Sequence, residues 1–275
     1  MADKHARPLA VVTGASSGIG YHLARCAVQH GFDLVVAADT PLDEAVMDFR
    51  SLGANVLASV QCDLATREGV DKLCQAVGSR AIDVLCANAG HGLGGAFLDQ
   101  HIEGIQHVIN TNITGTIYLI QRAALGMRAR GKGRILITGS IAGFQPGAFH
   151  AVYNASKAFI DSFGEAMRDE LRDTGVTVSI LMPGATDTEF FDRAGLQGTF
   201  MGDDMSKDAP DKVARAGFEA MMKGEADVVY SIKNKLQVVA SKMLPAQAAA
   251  AAHRKIAQPG SSREAKKERA EAKKA

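Results

Sequence analysis

The feature that most constrains the fold is a rhythm. Short apolar, β-branched runs recur along the chain with helical segments between them: Leu9 to Thr13, Asp33 to Ala38, Asn55 to Val60, Ile82 to Ala87, Arg134 to Thr138, Val176 to Leu181 and Asp227 to Tyr230. Runs that are apolar on both faces and alternate with helices indicate a parallel sheet covered on both sides, because each right-handed crossover lays its helix on one face. The chain is therefore expected to form an α/β, doubly wound, seven-stranded parallel sheet with helices on both faces.

At 275 residues one large core can absorb everything. A single catalytic domain over residues 1–258 is expected, followed by a polar segment, 259–275, without an apolar stripe, which reads as a disordered or frayed helical tail. A net charge of +1, from 31 basic and 30 acidic residues, projects no strong field toward nucleic acid or anionic lipid. A small molecule is the expected partner. Cys26, Cys62, Cys74 and Cys86 stand alone at wide spacings and read as reduced core thiols, with no zinc pattern. The polar start, Met1 to Pro8, has no signal-peptide character, and no apolar stretch is long enough to span a bilayer, so a cytoplasmic location is expected.

Between the first strand and the helix through Tyr21 to Ala24 stands Thr13-Gly14-Ala15-Ser16-Ser17-Gly18-Ile19-Gly20. A pyrophosphate needs a turn free of side chains together with the unpaired N–H groups of a helix start, and this turn offers both. In that context the glycines make a dinucleotide fingerprint, which gives the sheet a Rossmann-type character. Asp39, about twenty residues on at the end of the second strand, can accept hydrogen bonds from a ribose and repel a 2′-phosphate, which favours NAD over NADP; Thr40, not an arginine, follows it. Alternatively, Asp39 caps the segment that begins at Pro41.

Tyr153-Asn154-Ala155-Ser156-Lys157 puts a phenol and an ammonium one helical turn apart. Ser140 lies thirteen residues upstream of Tyr153, just past the fifth strand, at the carboxyl edge where open parallel sheets bind ligands. With Asn-Ala-Gly at Asn88 to Gly90, Asn112, Asp63 after the third strand, and Pro183-Gly184 followed by Thr188, the chain from about Leu9 to Tyr230 resembles the short-chain dehydrogenase/reductase family, motif by motif and in order.

The resemblance implies the roles. Tyr153 would exchange a proton with the substrate oxygen, Lys157 would lower its pKa and hold the nicotinamide ribose, Ser140 would bond the same oxygen, and Asn112 would anchor a relay water. Ser16, Ser17 and Ile19 would join Gly14, Gly18 and Gly20 along the cofactor, Asp63 and Leu64 would meet the adenine, Asn88, Ala89 and Gly90 would follow, and Pro183, Gly184, Thr186 and Thr188 would lie near the carboxamide. The reaction implied is hydride transfer between NAD(H) and an alcohol/ketone pair, with no metal. The alternative is a dinucleotide-binding sensor or scaffold protein that has lost catalysis.

The irregular stretch 184–210 breaks the strand-helix rhythm and reads either as a substrate lid or as a solvated surface loop. Phe144, Phe149, Phe190, Phe191 and Met182 would suit an apolar pocket, or are simply core. His150, three residues before Tyr153, reads as a rim or helix-start histidine. An Asp-Gly-Gly ending found in tetrameric relatives is missing, so a homodimer built from the helices after Gly95 and Tyr153 is expected, with a tetramer as the alternative. The residues 246–275 could also dock on a partner or an anionic surface through Lys266, Lys267, Lys273 and Lys274, but Glu264, Glu268 and Glu271 dilute that charge.

Overall fold

The computed structural model describes residues 7–272, so Met1 to Ala6 and Lys273 to Ala275, with the lysines Lys273 and Lys274, lie outside the described residues. Seven parallel strands stand in the order β3-β2-β1-β4-β5-β6-β7. They are β1 Leu9–Thr13, β2 Asp33–Ala38, β3 Val56–Gln61, β4 Ile82–Ala87, β5 Gly133–Thr138, β6 Val176–Leu181 and β7 Asp227–Val228. The order reverses between β1 and β4, which opens a crevice at the carboxyl ends of those strands.

The central strands are predominantly apolar, and their alternate residues go to opposite layers. Leu9 and Val11 join one core with Leu85, Ile135 and Ile137, against α3 (Arg67–Val77), α5 (Thr116–Arg130) and α6 (Ala151–Glu170). Ala10 and Val12 join the other with Val36, Val84 and Leu136, against α1 (Gly18–Gln29), α2 (Asp43–Ser51) and α8 (Pro210–Lys223). Leu73, Ile120 and Met127 are fully buried in the first layer, and Leu23, Phe49 and Phe218 in the second. Cutting such a side chain to alanine costs about 2–5 kcal/mol, so both layers are needed. The edge strand β3 alternates half-buried or buried positions with exposed ones, as an edge with one solvated face should.

Helix starts follow local chemistry. Thr66 caps α3 by accepting from Gly69 N at 3.0 Å, and Pro210 opens α8 where its missing N–H costs nothing. The helix α4 (Ile102–Ile109) runs into α5 through one wide π turn at Asn110–Gly115. After β6 come the short α7 (Phe190–Arg193), then α8, β7, α9 (Ile232–Met243), α10 (Ala246–Ala257) and α11 (Arg263–Ala272). Residues 263–272 are thus helical, and Ser261 and Ser262 just before them are buried: Ser262 N donates to Gly198 O at 3.2 Å, and Ser261 Oγ accepts from Phe200 N at 2.9 Å. Among the described residues no helix is long and apolar enough to cross a membrane.

Candidate active site

The loop after β1 turns on two glycines with left-handed backbone, Gly14 (φ +64°) and Gly18 (φ +57°). A Cβ on Gly20 would lie 2.1 Å from Gly14 O and 2.5 Å from Asn88 Nδ2, so this third glycine lets helix α1 press against the strand ends. Gly20 therefore packs beneath the site. Gly14, Ser16, Ser17, Gly18 and Ile19 line one long cavity that passes Asp39, Asp63 and Leu64, then Asn88, Ala89 and Gly90. It continues to Ser140, Tyr153, Lys157, Pro183, Gly184, Thr186 and Thr188. The bare turn beside a helix start, opening into a crevice at the strand reversal, fits an extended diphosphate-bearing dinucleotide.

A hydrogen-bond chain ties the glycine turn to the tyrosine-lysine pair. Thr13 Oγ1 accepts from Asn88 N (2.9 Å) and Ala89 N (3.0 Å), Thr138 Oγ1 donates to Asn88 Oδ1 (3.1 Å), and Lys157 Nζ donates to Thr138 O (2.8 Å). The ends of β1, β4 and β5 are thereby fixed relative to α6. On α6, Tyr153, Lys157 and Asp161 are spaced four apart and share one buried face. Lys157 Nζ lies 5.8 Å from the centre of the Tyr153 ring.

Asp161 escapes the sequence reading. Its Oδ1 accepts from Ser140 N at 3.3 Å, while its Oδ2 is buried with no partner. Gly139 and Gly143 wrap so closely that a Cβ on either would meet the carboxylate at 1.8 and 2.4 Å. The carboxylate wedges the Ser140 backbone against α6. The signal was available: an acid two turns beyond Tyr153, on the face that carries Lys157.

Burial dominates the proton equilibria. It raises the Tyr153 phenol above its ordinary value, an effect that Ser140's hydrogen bond opposes and Asp161's charge reinforces. The resemblance led us to expect a depressed phenol pKa. Here burial also pushes the Lys157 ammonium down and the Asp161 carboxyl up, so in the free site the phenol stays protonated.

Asn112 sits in the π turn outside the cavity lining. Its Nδ2 donates to His91 O (2.8 Å) and Ser156 Oγ (2.9 Å), and its Oδ1 accepts from His91 N (2.7 Å). A Cβ on Gly90 would lie 3.2 Å from Asn112 Oδ1 and 3.5 Å from Lys157 Nζ, which places Asn112 and Lys157 around the same glycine. Asp39 does not cap the next helix, whose N-cap is Leu42. Instead its Oδ2 pairs with His91 Nε2 at 3.1 Å, and that hydrogen bond holds its carboxyl below the ordinary value. Arg193, also on the cavity wall, pairs with Glu189.

The apolar side chains divide between the two readings, cavity wall and core. Phe190 and Phe191 line the cavity, and the Phe190 ring lies 5.1 Å from that of Tyr153. Met182 instead packs in a small core with Ile141, Ile180 and Val238, beside Phe144, while Phe149 sits under Arg254. Ile141, Met201, Met205 and Ile256 take their places. His150 is the N-cap of α6 but not a rim residue: it is 2% exposed and stacks on Tyr153, with ring centres 4.5 Å apart at 18°. Behind it, His253 of α10 bonds Ala148 O through Nδ1 at 2.9 Å and lines the cavity with Gln237 of α9.

A family model described as short chain dehydrogenase matches residues 8–197. The chain belongs to the short-chain dehydrogenase family. Within this oxidoreductase family it is 30% identical over 241 residues to a Myxococcus xanthus protein named an uncharacterized oxidoreductase, spanning 86% of this chain and 92% of that one. A short-chain dehydrogenase from Sphingobium yanoikuyae, solved with NADPH, superposes with a TM-score of 0.76 at 28% identity and covers 87% of this chain and 97% of its own. A Burkholderia phymatum family member solved with NAD shares the fold, at TM-score 0.76 and 24% identity over 86% of this chain and 93% of that one.

Proposed function

We propose that this short-chain dehydrogenase is a cytoplasmic enzyme that interconverts an alcohol and its ketone using NAD(H), with Tyr153 as general acid and base. The observation that carries this reading is the convergence of Ser140, Tyr153 and Lys157 on the cavity that begins at the Gly14–Gly18 turn. When bound, the dinucleotide supplies the hydride donor or acceptor.

The chain's own residues do the rest. Gly14, Ser16, Ser17, Gly18 and Ile19 hold the diphosphate against the start of α1, and Asp39 receives the adenosine ribose hydroxyls. Asp63 and Leu64 bound the adenine, Asn88, Ala89 and Gly90 run along the cofactor, and Pro183, Gly184, Thr186 and Thr188 close around the carboxamide. Ser140 Oγ donates to the substrate oxygen, and the protonated Tyr153 phenol gives that oxygen its proton in the reducing direction. Lys157 holds the second ribose and compensates the phenolate left behind. Reprotonation passes the Lys157 side and the π turn at Asn112. The Asn112 amide is already committed to His91 and Ser156, so any relay water is held by backbone there.

Residues 184–210 act as the lid, because Phe190, Met201 and Met205 face the reacting end. The substrate carries an apolar body of matching bulk. Two copies pair through the α5 and α6 faces, where Leu125 and Phe159 stay exposed. A screen of alcohols and ketones with NADH identifies the substrate. On it, Tyr153→Phe lowers kcat at least about a hundredfold and leaves dinucleotide affinity nearly intact. Half of the parent turnover in that variant would remove Tyr153 from the chemistry.

A further inference from the structure

We infer that the outer face of α9 docks on the surface of an anionic phospholipid bilayer. The first observation is a stripe. At 100° per residue, Ile232, Leu236, Val239 and Met243 fall within about 60° of one another. All stand in solvent, at 77, 65, 55 and 80% exposure, and Leu244 beyond the helix end is 48% exposed. The opposite face is anchored: Asn234 and Val238 are buried, Asn234 Nδ2 donates to Asp208 Oδ2 and Tyr230 O, and Ser241 Oγ donates to Gln145 Oε1 at 3.1 Å. The stripe therefore points directly away from the protein. A helix that already has its inner face satisfied gains nothing for the fold from a second apolar face.

The second observation is charge. Lys233 flanks the stripe on one side and Lys235 and Lys242 on the other, each about 70–90° from its centre on the same wheel. Two of these ammonium groups are held in position, Lys233 by Ser206 O at 2.9 Å and Lys242 over the Phe144 ring at 4.7 Å. From Val228 to Arg263 the chain contains no aspartate or glutamate, while it carries Lys233, Lys235, Lys242, Arg254, Lys255 and Arg263. A protein whose overall charge is only +1 has thus gathered one sign along this stretch of chain, and the carboxylate bonded to α9, that of Asp208, meets Asn234 on the anchored face and not the stripe. Apolar side chains on the outer line and lysines on both shoulders match a helix lying in the headgroup plane, with stems on the acyl boundary and charges among anionic phosphates. A second copy of the chain is a poor occupant, because pairing two such stripes sets lysine against lysine with no acid to meet them.

The charge responsible lies in α9 and α10, and not in Lys266 or Lys267 of α11, where glutamates alternate with the lysines. Gln237 on the inner side of α9 and Ile256 on α10 line the active-site cavity, so docking would bring its mouth to the lipid boundary, where apolar substrates concentrate. The inference does not depend on the proposed catalysis.

The test is flotation of the full chain with extruded vesicles, either of phosphatidylcholine alone or of phosphatidylcholine mixed with an equal part of phosphatidylglycerol. The parent protein is expected to float with the mixed vesicles and stay at the bottom with phosphatidylcholine alone. Replacing Lys233, Lys235 and Lys242 together by glutamine should lower the partition coefficient roughly a hundredfold, about fivefold per lysine. Leu236→Glu with Met243→Glu should abolish flotation without changing the thermal midpoint, because both side chains already stand in water. The inference fails if the parent does not float with mixed vesicles at low salt, or if the double glutamate variant floats as the parent does. It also fails if soluble polyglutamate binds the protein as well as vesicles do, or if light scattering shows an assembly that the glutamates dissolve.

Discussion

Gly139→Ala tests whether Asp161 positions the reacting groups. Gly139 sits between Thr138, whose carbonyl holds Lys157, and Ser140, whose N–H bonds Asp161. An added Cβ would stand 1.8 Å from Asp161 Oδ1, and ordinary contact begins near 3.4 Å, so one side must yield by the difference, about 1.6 Å. The carboxylate cannot simply swing aside, because its other oxygen already faces Gly143 at a distance no Cβ could share. Either the Ser140 loop or helix α6 must move, and both carry reacting groups. A misplacement near 1 Å costs about a hundredfold in rate, so kcat should fall by roughly that factor or more, with an overpacking cost of about 1–3 kcal/mol in stability. Turnover at saturating dinucleotide, dinucleotide affinity by fluorescence and thermal unfolding read the three effects separately. Adding Asp161→Ala removes the obstruction, so the double variant should be more active than Gly139→Ala alone, a non-additivity expected only of groups in contact. If Gly139→Ala keeps half of the parent kcat, the wedge does not place Ser140 and the reasoning fails.

Two further outcomes follow from the site. Asp39→Ser with Thr40→Arg should shift the NADPH-to-NADH ratio of kcat/KM by roughly a hundredfold or more toward NADPH, whereas the unmodified protein should prefer NADH; a parent that uses NADPH better would return Asp39 to a structural role held by His91. Burial, aided by the charge of His253, lowers the His150 pKa to about 3 from 6.5, so the unfolded chain binds the extra proton first as pH falls. Stability should therefore decline below pH 6.5 until about pH 3, costing on the order of 2 kcal/mol by pH 5 at this one residue. Urea titrations at pH 7 and 5 check it: His150→Phe should flatten the decline, and an unchanged slope would mean that the imidazole is not held neutral.

The sheet was legible because its strands are extreme. β1, β2, β4 and β6 are largely apolar and their limits match the expected ones residue for residue, while the edge strands β3 and β7 shift by one or two residues at their ends. That the glycine turn, Asp39 and the tyrosine-lysine pair would meet at one crevice was legible because each depends on local spacing: glycines around one turn, an acid at the next strand end, two side chains one helical turn apart. What the sequence hid is whatever depends on distant segments meeting. His91 reaching Asp39, Arg193 entering the cavity wall and His253 standing behind His150 join residues far apart in the chain, and no periodicity marks them. Met182 and Phe149 stayed open between pocket and core for the same reason, since apolar character does not show against what a side chain will pack.

The same distinction assigns the carboxyl-terminal residues a part in the reaction pocket. Read alone, residues 259–275 lack an apolar stripe and look like a disordered or frayed helical tail. In the fold, α10 supplies His253 and Ile256 to the cavity, Ser261 and Ser262 bond Phe200 and Gly198, and Arg263 N donates to Asp204 Oδ2 at 2.7 Å. Three hydrogen bonds thus fasten the 184–210 segment to residues 261–263, while near its start Thr188 lies against Gly18 of the glycine turn, 3.0 Å from where a Cβ there would stand. If the proposed lid closes as a unit with the helices it is fastened to, substrate shape would be decided jointly by 184–210 and by α9 and α10, all of which line the cavity. Those are the parts of the chain in which the family's motifs say least, which is why the family could be recognised from its motifs and the substrate could not.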